Sequence, residues 1–163
     1  MTMKSNSLKT AWIIGTALLA IAITGCKKEK VPVNVSESFG TAVIRGKVWA
    51  DLNTTASGNE PVTTATIIAK ISTADLYSTT PANPVNRIYT TSVKSDGTYS
   101  ITVDAGLKPV SVSIYPQDFE ADRIVPATPP ATGTTNQRHI FTSSSFVESV
   151  VQGGVRIVDI TYN

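Results

Sequence analysis

"RIYTTSVKSDGTYSITVDAG", Arg87 to Gly106, carries two runs of alternating residues on either side of an Asp96-Gly97 pair. Before the pair, Ile88, Thr90, Ser92 and Lys94 share one parity, and Tyr89, Thr91 and Val93 the other. After it, Tyr99, Ile101 and Val103 alternate with Thr98, Ser100 and Thr102. A period of two sends successive side chains to opposite faces of a strand. Glycine adopts positive φ without a Cβ penalty and aspartate bonds to nearby backbone, so Asp96-Gly97 reads as a turn with no need of a catalytic role. The stretch predicts a β-hairpin.

The same period extends outward. "KPVSVSIYP" sets Val110, Val112 and Ile114 against Ser111, Ser113 and Tyr115, and "TAVIRGKVWA" sets Ile44, Gly46 and Val48 against Val43, Arg45, Lys47 and Trp49. "TTATIIAKIST" predicts a strand over Ala65 to Ser72, "RHIFTSSS" a short one, and "GVRIVDITYN" a terminal one in which Val155, Ile157, Asp159 and Thr161 oppose Arg156, Val158, Ile160 and Tyr162. Between them lie a turn-rich loop, "DLNTTASGNEPV", and two longer connections: Ala74 to Asn86, with Pro81 and Pro84, and Gln117 to Gln137, rich in proline and threonine. That makes about seven strands and no helix beyond the N-terminal apolar run. Each strand has one apolar face, so two antiparallel sheets stacked about 10 Å apart can bury those faces together, whereas an open sheet would leave them wet.

These residues resemble the carboxypeptidase regulatory-like, or prealbumin-like, group of sandwiches. Gly46-Lys47-Val48 matches its G-x-V first strand, Pro61-Val62 followed by Ala65 its P-V loop and alanine-led strand, and Asp96-Gly97-Thr98-Tyr99 its turn and aromatic strand. The resemblance covers Ala42 to Pro116, with Val155 to Tyr162 closing the fold, and implies an all-β, seven-stranded antiparallel Greek-key sandwich. The two long connections depart from a compact member of that group.

At the other end of the chain, Lys4 and Lys9 precede an apolar run from Ala11 to Ile23 that falls short of the roughly 20 residues of a comfortable membrane span. "ITGC", Ile23 to Cys26, resembles the lipobox of bacterial lipoproteins, with Ile23 where leucine is commoner. The resemblance implies cleavage before Cys26 and its acylation. Residues 1–25 then form a signal peptide, 26–40 a lipidated N-terminus and flexible spacer, and 41–163 the sandwich domain. Acyl chains contribute about 0.8 kcal/mol per buried methylene, so several together tether a soluble fold. Lys27 after the cysteine is compatible with an outer-membrane lipoprotein, and the charged run Lys27 to Lys30 is similar to surface-export signals of Bacteroidetes-type bacteria without their acidic emphasis.

Cys26 is the only cysteine, so lipidation would leave no thiol for a disulfide, a nucleophile or a metal. Of fourteen Lys and Arg, Lys4 and Lys9 would leave with the leader, and twelve would balance twelve Asp and Glu. A neutral mature chain argues against a nucleic-acid partner. His139 is the only histidine, with no H-E-x-x-H, and neither G-x-S-x-G, a P-loop nor G-x-G-x-x-G occurs, so no cofactor or catalytic residue is expected. Asp118, Glu120 and Asp122 are the best candidates for an oxygen-rich metal site, yet calcium takes roughly six to eight oxygens and no calcium loop organises them.

Among the aromatics, Trp49, Tyr77, Tyr89 and Tyr115 are candidate ligand contacts, with Tyr99 and Tyr162 also available, although strand tyrosines commonly pack. The expected function is that of a noncatalytic envelope lipoprotein, bound to the membrane through lipid and meeting an envelope protein. A carbohydrate-binding accessory role is the alternative, marked by exposed aromatics around Trp49. A small hydrolase comes third and requires a pocket joining His139 to acids or hydroxyls.

Overall fold

A computed structural model of the chain describes residues 39–77, 79 and 81–163. The expected leader, Cys26 and nearly all of the spacer lie outside the described residues.

The turn in Arg87 to Gly106 forms as its residues require. Gly97 donates its N–H to the Lys94 carbonyl at 2.9 Å and Lys94 donates to the Thr98 carbonyl at 2.8 Å. Gly97 sits at φ 77°, and Asp96 Oδ1 accepts from Thr98 N at 3.0 Å and Oγ1 at 2.6 Å. A type I turn followed by a left-handed glycine is a common three-residue hairpin loop. The hairpin expected from the flanking alternation, however, exists only at this tip.

Upstream, β4 (Asn86–Ser92) pairs with β3 (Thr66–Ser72). Downstream, β5 (Thr98–Ala105) pairs with β1 (Gly40–Ala50). The turn thus joins two sheets. Alternation specifies which face is buried but not which neighbour buries it. The inward positions of β5 are Tyr99, Ile101, Val103 and Ala105, all buried, whereas those of β4 are the half-buried Arg87, Tyr89 and Thr91, which suit a sheet edge.

β1 is the centre of the first sheet. One side pairs antiparallel with β5, from Gly40↔Ala105 to Lys47↔Thr98, and then with β2 (Glu60–Pro61) at Trp49 and Ala50. The other side pairs with β10 (Val155–Ile157) and β11 (Ile160–Tyr162), both parallel to β1 and in one register, Val43↔Val155 and Val48↔Ile160. A wholly antiparallel arrangement is therefore corrected to a mixed sheet.

The second sheet runs β4-β3-β6-β9, with β6 at Val110–Pro116 and β9 at Phe146–Val150, and is antiparallel throughout. A one-turn helix, α1 (Thr73–Leu76), follows β3, and the Ser72 hydroxyl accepts from Ala74 N at 3.2 Å. The two sheets share one core: Ala42, Ile44 and Val48 of β1, Ile101 and Val103 of β5, Ile67, Ala69 and Ile71 of β3, and Val110, Val112 and Ile114 of β6. Each valine or isoleucine among them contributes about 1.5–3 kcal/mol by leaving water. The all-β, sandwich-like packing expected from the alternation is present.

Gln117 to Gln137, expected as an irregular connection, is a hairpin arm in the main. β7 (Phe119–Pro126) pairs with β8 (Thr134–Phe141) in continuous register, Phe119↔Phe141 to Pro126↔Thr134. Its prolines sit at the end of β7 and in the tip, where no ladder N–H is needed. Phe119 stacks on Phe141 at 5.1 Å and meets Tyr162 of β11 edge-on at 4.9 Å, which fixes the base of the arm to the body. With β2, β7 and β9 added, and the terminal strand split into β10 and β11, the expected seven strands become eleven.

Candidate functional site

The outer face of the first sheet holds an open depression of about 710 Å³, within the roughly 300–1,000 Å³ of small-molecule sites. Its residues follow from strand parity. Ile44, Val48 and Ala50 of β1 point into the core, so Arg45, Lys47 and Trp49 point out, each about 7 Å from the next. Across the ladder, Arg45 is flanked by Ser100 of β5 and Ile157 of β10, Lys47 by Thr98, and Trp49 by Thr161 and Pro61. Lys94, from the β4–β5 turn, also lines the depression. The Lys47 ammonium lies 5.5 Å from the centre of the half-buried Trp49 ring.

Gly46 shapes this face from beneath. A Cβ there would meet the Val158 carbonyl oxygen at 1.9 Å and its carbon at 2.6 Å. That carbonyl is tucked under β1, where the buried Tyr99 hydroxyl donates to it at 2.8 Å. The ladder on that side is interrupted, and Asp159 Oδ1 accepts the Lys47 N–H at 2.8 Å. One absent methyl group therefore places a carboxylate in the depression. Burial, followed by the charges of Asp159 and Glu148, pushes the Tyr99 hydroxyl up to about 12 and keeps it a donor.

Arg45, Lys47 and Lys94 form no ion pair among the described residues, and Asp159 is the only carboxylate among the residues lining the depression. Sequence reasoning identified Trp49 and missed these cations. The signal was present in R-x-K-x-W, whose residues share one outward parity. Lys94 and Asp159 come from distant segments and were not legible.

The other candidate aromatics do not join Trp49. Tyr115 lies on the outward parity of β6 in the second sheet, with the Lys70 ammonium 4.4 Å from its ring centre. Tyr89 bridges the sheets at an edge, where its hydroxyl accepts from Asp104 N at 3.2 Å beside the Arg87–Asp104 ion pair. Tyr77 packs edge-on against Phe39 at 4.9 Å. Tyr99 and Tyr162 are buried, and Tyr162 donates to the Gln117 carbonyl at 2.9 Å.

Asp118, Glu120 and Asp122 are not assembled for a cation. Glu120 and Asp122 share the exposed face of β7 and pair with Arg138 of β8 at 2.9 and 3.6 Å, and Arg138 holds the Glu120 carboxyl below the usual carboxylate range. Among the described residues, no group of three or more His, Cys, Asp or Glu is placed to hold a metal ion.

His139 does line a second depression, of about 500 Å³, with Asp51, Asn59, Arg123, Phe141, Tyr162 and Asn163. Within it Asp51 Oδ2 pairs with Arg123, leaving Asp51 Oδ1 and Arg123 Nε without a hydrogen-bond partner among the described residues, while the Tyr162 hydroxyl donates to Gln117 and the His139 ring sits edge-on to Phe141 at 4.7 Å. A hydrolase would require a pocket joining His139 to an acid or hydroxyl; here His139 and Asp51 line one depression, and Asp51 faces the Arg123 guanidinium. A comparison with known proteins finds no matching family model and no matching curated relative.

Proposed function

We propose that the chain is a noncatalytic cell-envelope lipoprotein, tethered by acyl chains on Cys26, whose sandwich is an interaction module that meets its ligand on the Trp49 face. The observation that carries this reading is the half-buried Trp49 beside Arg45, Lys47 and Lys94 in one open depression. Tryptophan, with an apolar body and a polar edge, and arginine are both enriched at contact surfaces, and Arg45, Lys47 and Lys94 form no ion pair among the described residues. The lipobox-like Ile23-Thr24-Gly25-Cys26 supports the tether, and Lys27 supports placement at the outer membrane.

The prealbumin-like reading of the sandwich draws support from Gly46-Lys47-Val48 in β1 and from Asp96-Gly97 in the turn before β5. The parallel β10 and β11 are a departure from it. Trp49 also favours a second reading, a carbohydrate-binding accessory lipoprotein.

Intact-mass analysis of the chain from membranes should find an acylated N-terminal Cys26; an unmodified Cys26 still preceded by its leader would sink the tether. Glycan-array binding that disappears in Trp49→Ala supports the carbohydrate reading. Capture of one envelope protein, lost in the same variant with the array silent, supports the protein-binding one. Capture unaffected by Trp49→Ala removes this face from the proposal.

A further inference from the structure

The chemistry of the depression restricts what it holds. Three cationic side chains, Arg45, Lys47 and Lys94, share it with one carboxylate, Asp159, and that carboxylate already accepts the Lys47 backbone N–H at 2.8 Å. Arg45 and Lys47 are exposed on β1 and Lys94 is exposed on the turn. A neutral ligand covering this face would return only hydrogen bonds to uncharged acceptors for the water it strips from the cations, whereas an anionic one returns ion-paired hydrogen bonds, the stronger kind.

Besides Gly46 and Tyr99, the remaining lining is apolar and hydroxylic: Trp49, Ile157, which is 72% exposed, and the hydroxyl-bearing Thr98 and Ser100. A pyranose ring has one face of C–H groups, which lie against the electron-rich face of an indole, and a rim of hydroxyls suited to Thr98 and Ser100. Arg45, Lys47 and Trp49 follow one strand at about 7 Å intervals. An extended polymer lying along β1 would therefore meet charge and ring in succession.

Resting on the reading of the Trp49 face as the contact surface, we infer that its ligand is an acidic polysaccharide, a chain of carboxylated pyranose rings with a ring on Trp49 and carboxylates on Arg45, Lys47 and Lys94. A nucleic acid is disfavoured because its phosphates call for a long basic stripe. Here the cations are confined to one depression, and the whole chain has fourteen Lys and Arg against twelve Asp and Glu. An acidic peptide can satisfy the cations but offers Trp49 a ring only where it carries a proline or an aromatic residue, whereas every residue of a polysaccharide is a ring.

The full chain, purified in detergent, is tested by biolayer interferometry on immobilised polygalacturonate, its fully methyl-esterified form, poly-L-glutamate and oligo-dT. Polygalacturonate is expected to bind best, and esterification to weaken binding about tenfold or more, since tenfold is a modest loss for removing several charge contacts. Trp49→Ala and Lys94→Glu should each weaken it by a similar factor of about ten. Lys94 is exposed, so its variant remains informative even if Trp49→Ala perturbs packing.

Equal binding of the acid and its ester, with loss in Trp49→Ala, overturns the acidic inference and leaves the Trp49 face as the contact surface. Tighter binding of poly-L-glutamate or oligo-dT, or no binding to polygalacturonate, also overturns the inference. Binding of polygalacturonate that survives both substitutions overturns the face itself.

Discussion

Gly46 is fixed by backbone rather than by side chains. Its missing Cβ leaves the space occupied by the Val158 carbonyl, and no rotamer change can clear a backbone atom at 1.9 Å. Gly46→Ala is expected to destabilise the fold by about 1–3 kcal/mol, as overpacking does, and to disturb the Asp159 contact to Lys47 N. Urea denaturation reads the first effect and the Lys47 amide shift the second. Tyr99, the donor to the same carbonyl, makes stability depend on pH. Its hydroxyl is raised from 10.0 to about 12 in the folded chain, so its contribution is complete below about pH 10, the unfolded value, and is lost as pH rises toward 12. Unfolding midpoints should therefore fall above pH 10. Tyr99→Phe should flatten part of that fall while costing about 1–3 kcal/mol at neutral pH for the unpaired Val158 carbonyl. A midpoint that falls as steeply in the variant would refute the assignment. Burial also raises Tyr162, so some slope remains.

At the scale of elements, alternation identified the strands with buried apolar inward residues, β1, β3, β5, β6 and β11, whereas β10, the other half of the terminal strand, is exposed throughout. It did not reveal partners. β4 and β5 share a turn yet lie in different sheets, because Val93 N bonds to the Ala65 carbonyl while Val48 N bonds to Gly97. The β7–β8 arm was hidden by its prolines and by acids that read as a solvated loop. Its decisive residues, Phe119 and Phe141, stand 22 positions apart in register, a separation that a local pattern does not contain. Likewise Trp49 was legible as a candidate contact, and its neighbours Lys94 and Asp159 were not. The aromatic base of the arm carries the hairpin, so Phe141→Ala should cost about 3–5 kcal/mol, read by thermal unfolding. Ile140→Ala, at a position 62% exposed on the next residue, should stay within about 0.5 kcal/mol of the parent.

In the body of the described residues, two sheets bury one core, and the outer face of each carries an aromatic ring beside a lysine. The first carries Trp49 with Arg45 and Lys47, and the second carries Tyr115 with Lys70. Charge is local rather than global. If the chain is processed before Cys26, its twelve basic and twelve acidic side chains cancel, so long-range attraction is weak. Any salt dependence of binding would arise within a Debye length, about 8 Å at physiological ionic strength.

The parallel course of β1 beside β10 and β11 also has a mechanical meaning. A force drawing Phe39 and Asn163 apart pulls β1 backward and β11 forward along their shared seam. It loads Val43 N to Gly154 O, Val158 N to Arg45 O and Lys47 N to Asp159 Oδ1, at 2.8–2.9 Å, in shear and together. Peeling would instead break such bonds one by one. Single-molecule stretching between Phe39 and Asn163 should therefore meet a higher rupture force than stretching between Phe39 and an attachment in the β7–β8 tip, and Gly46→Ala should lower the former.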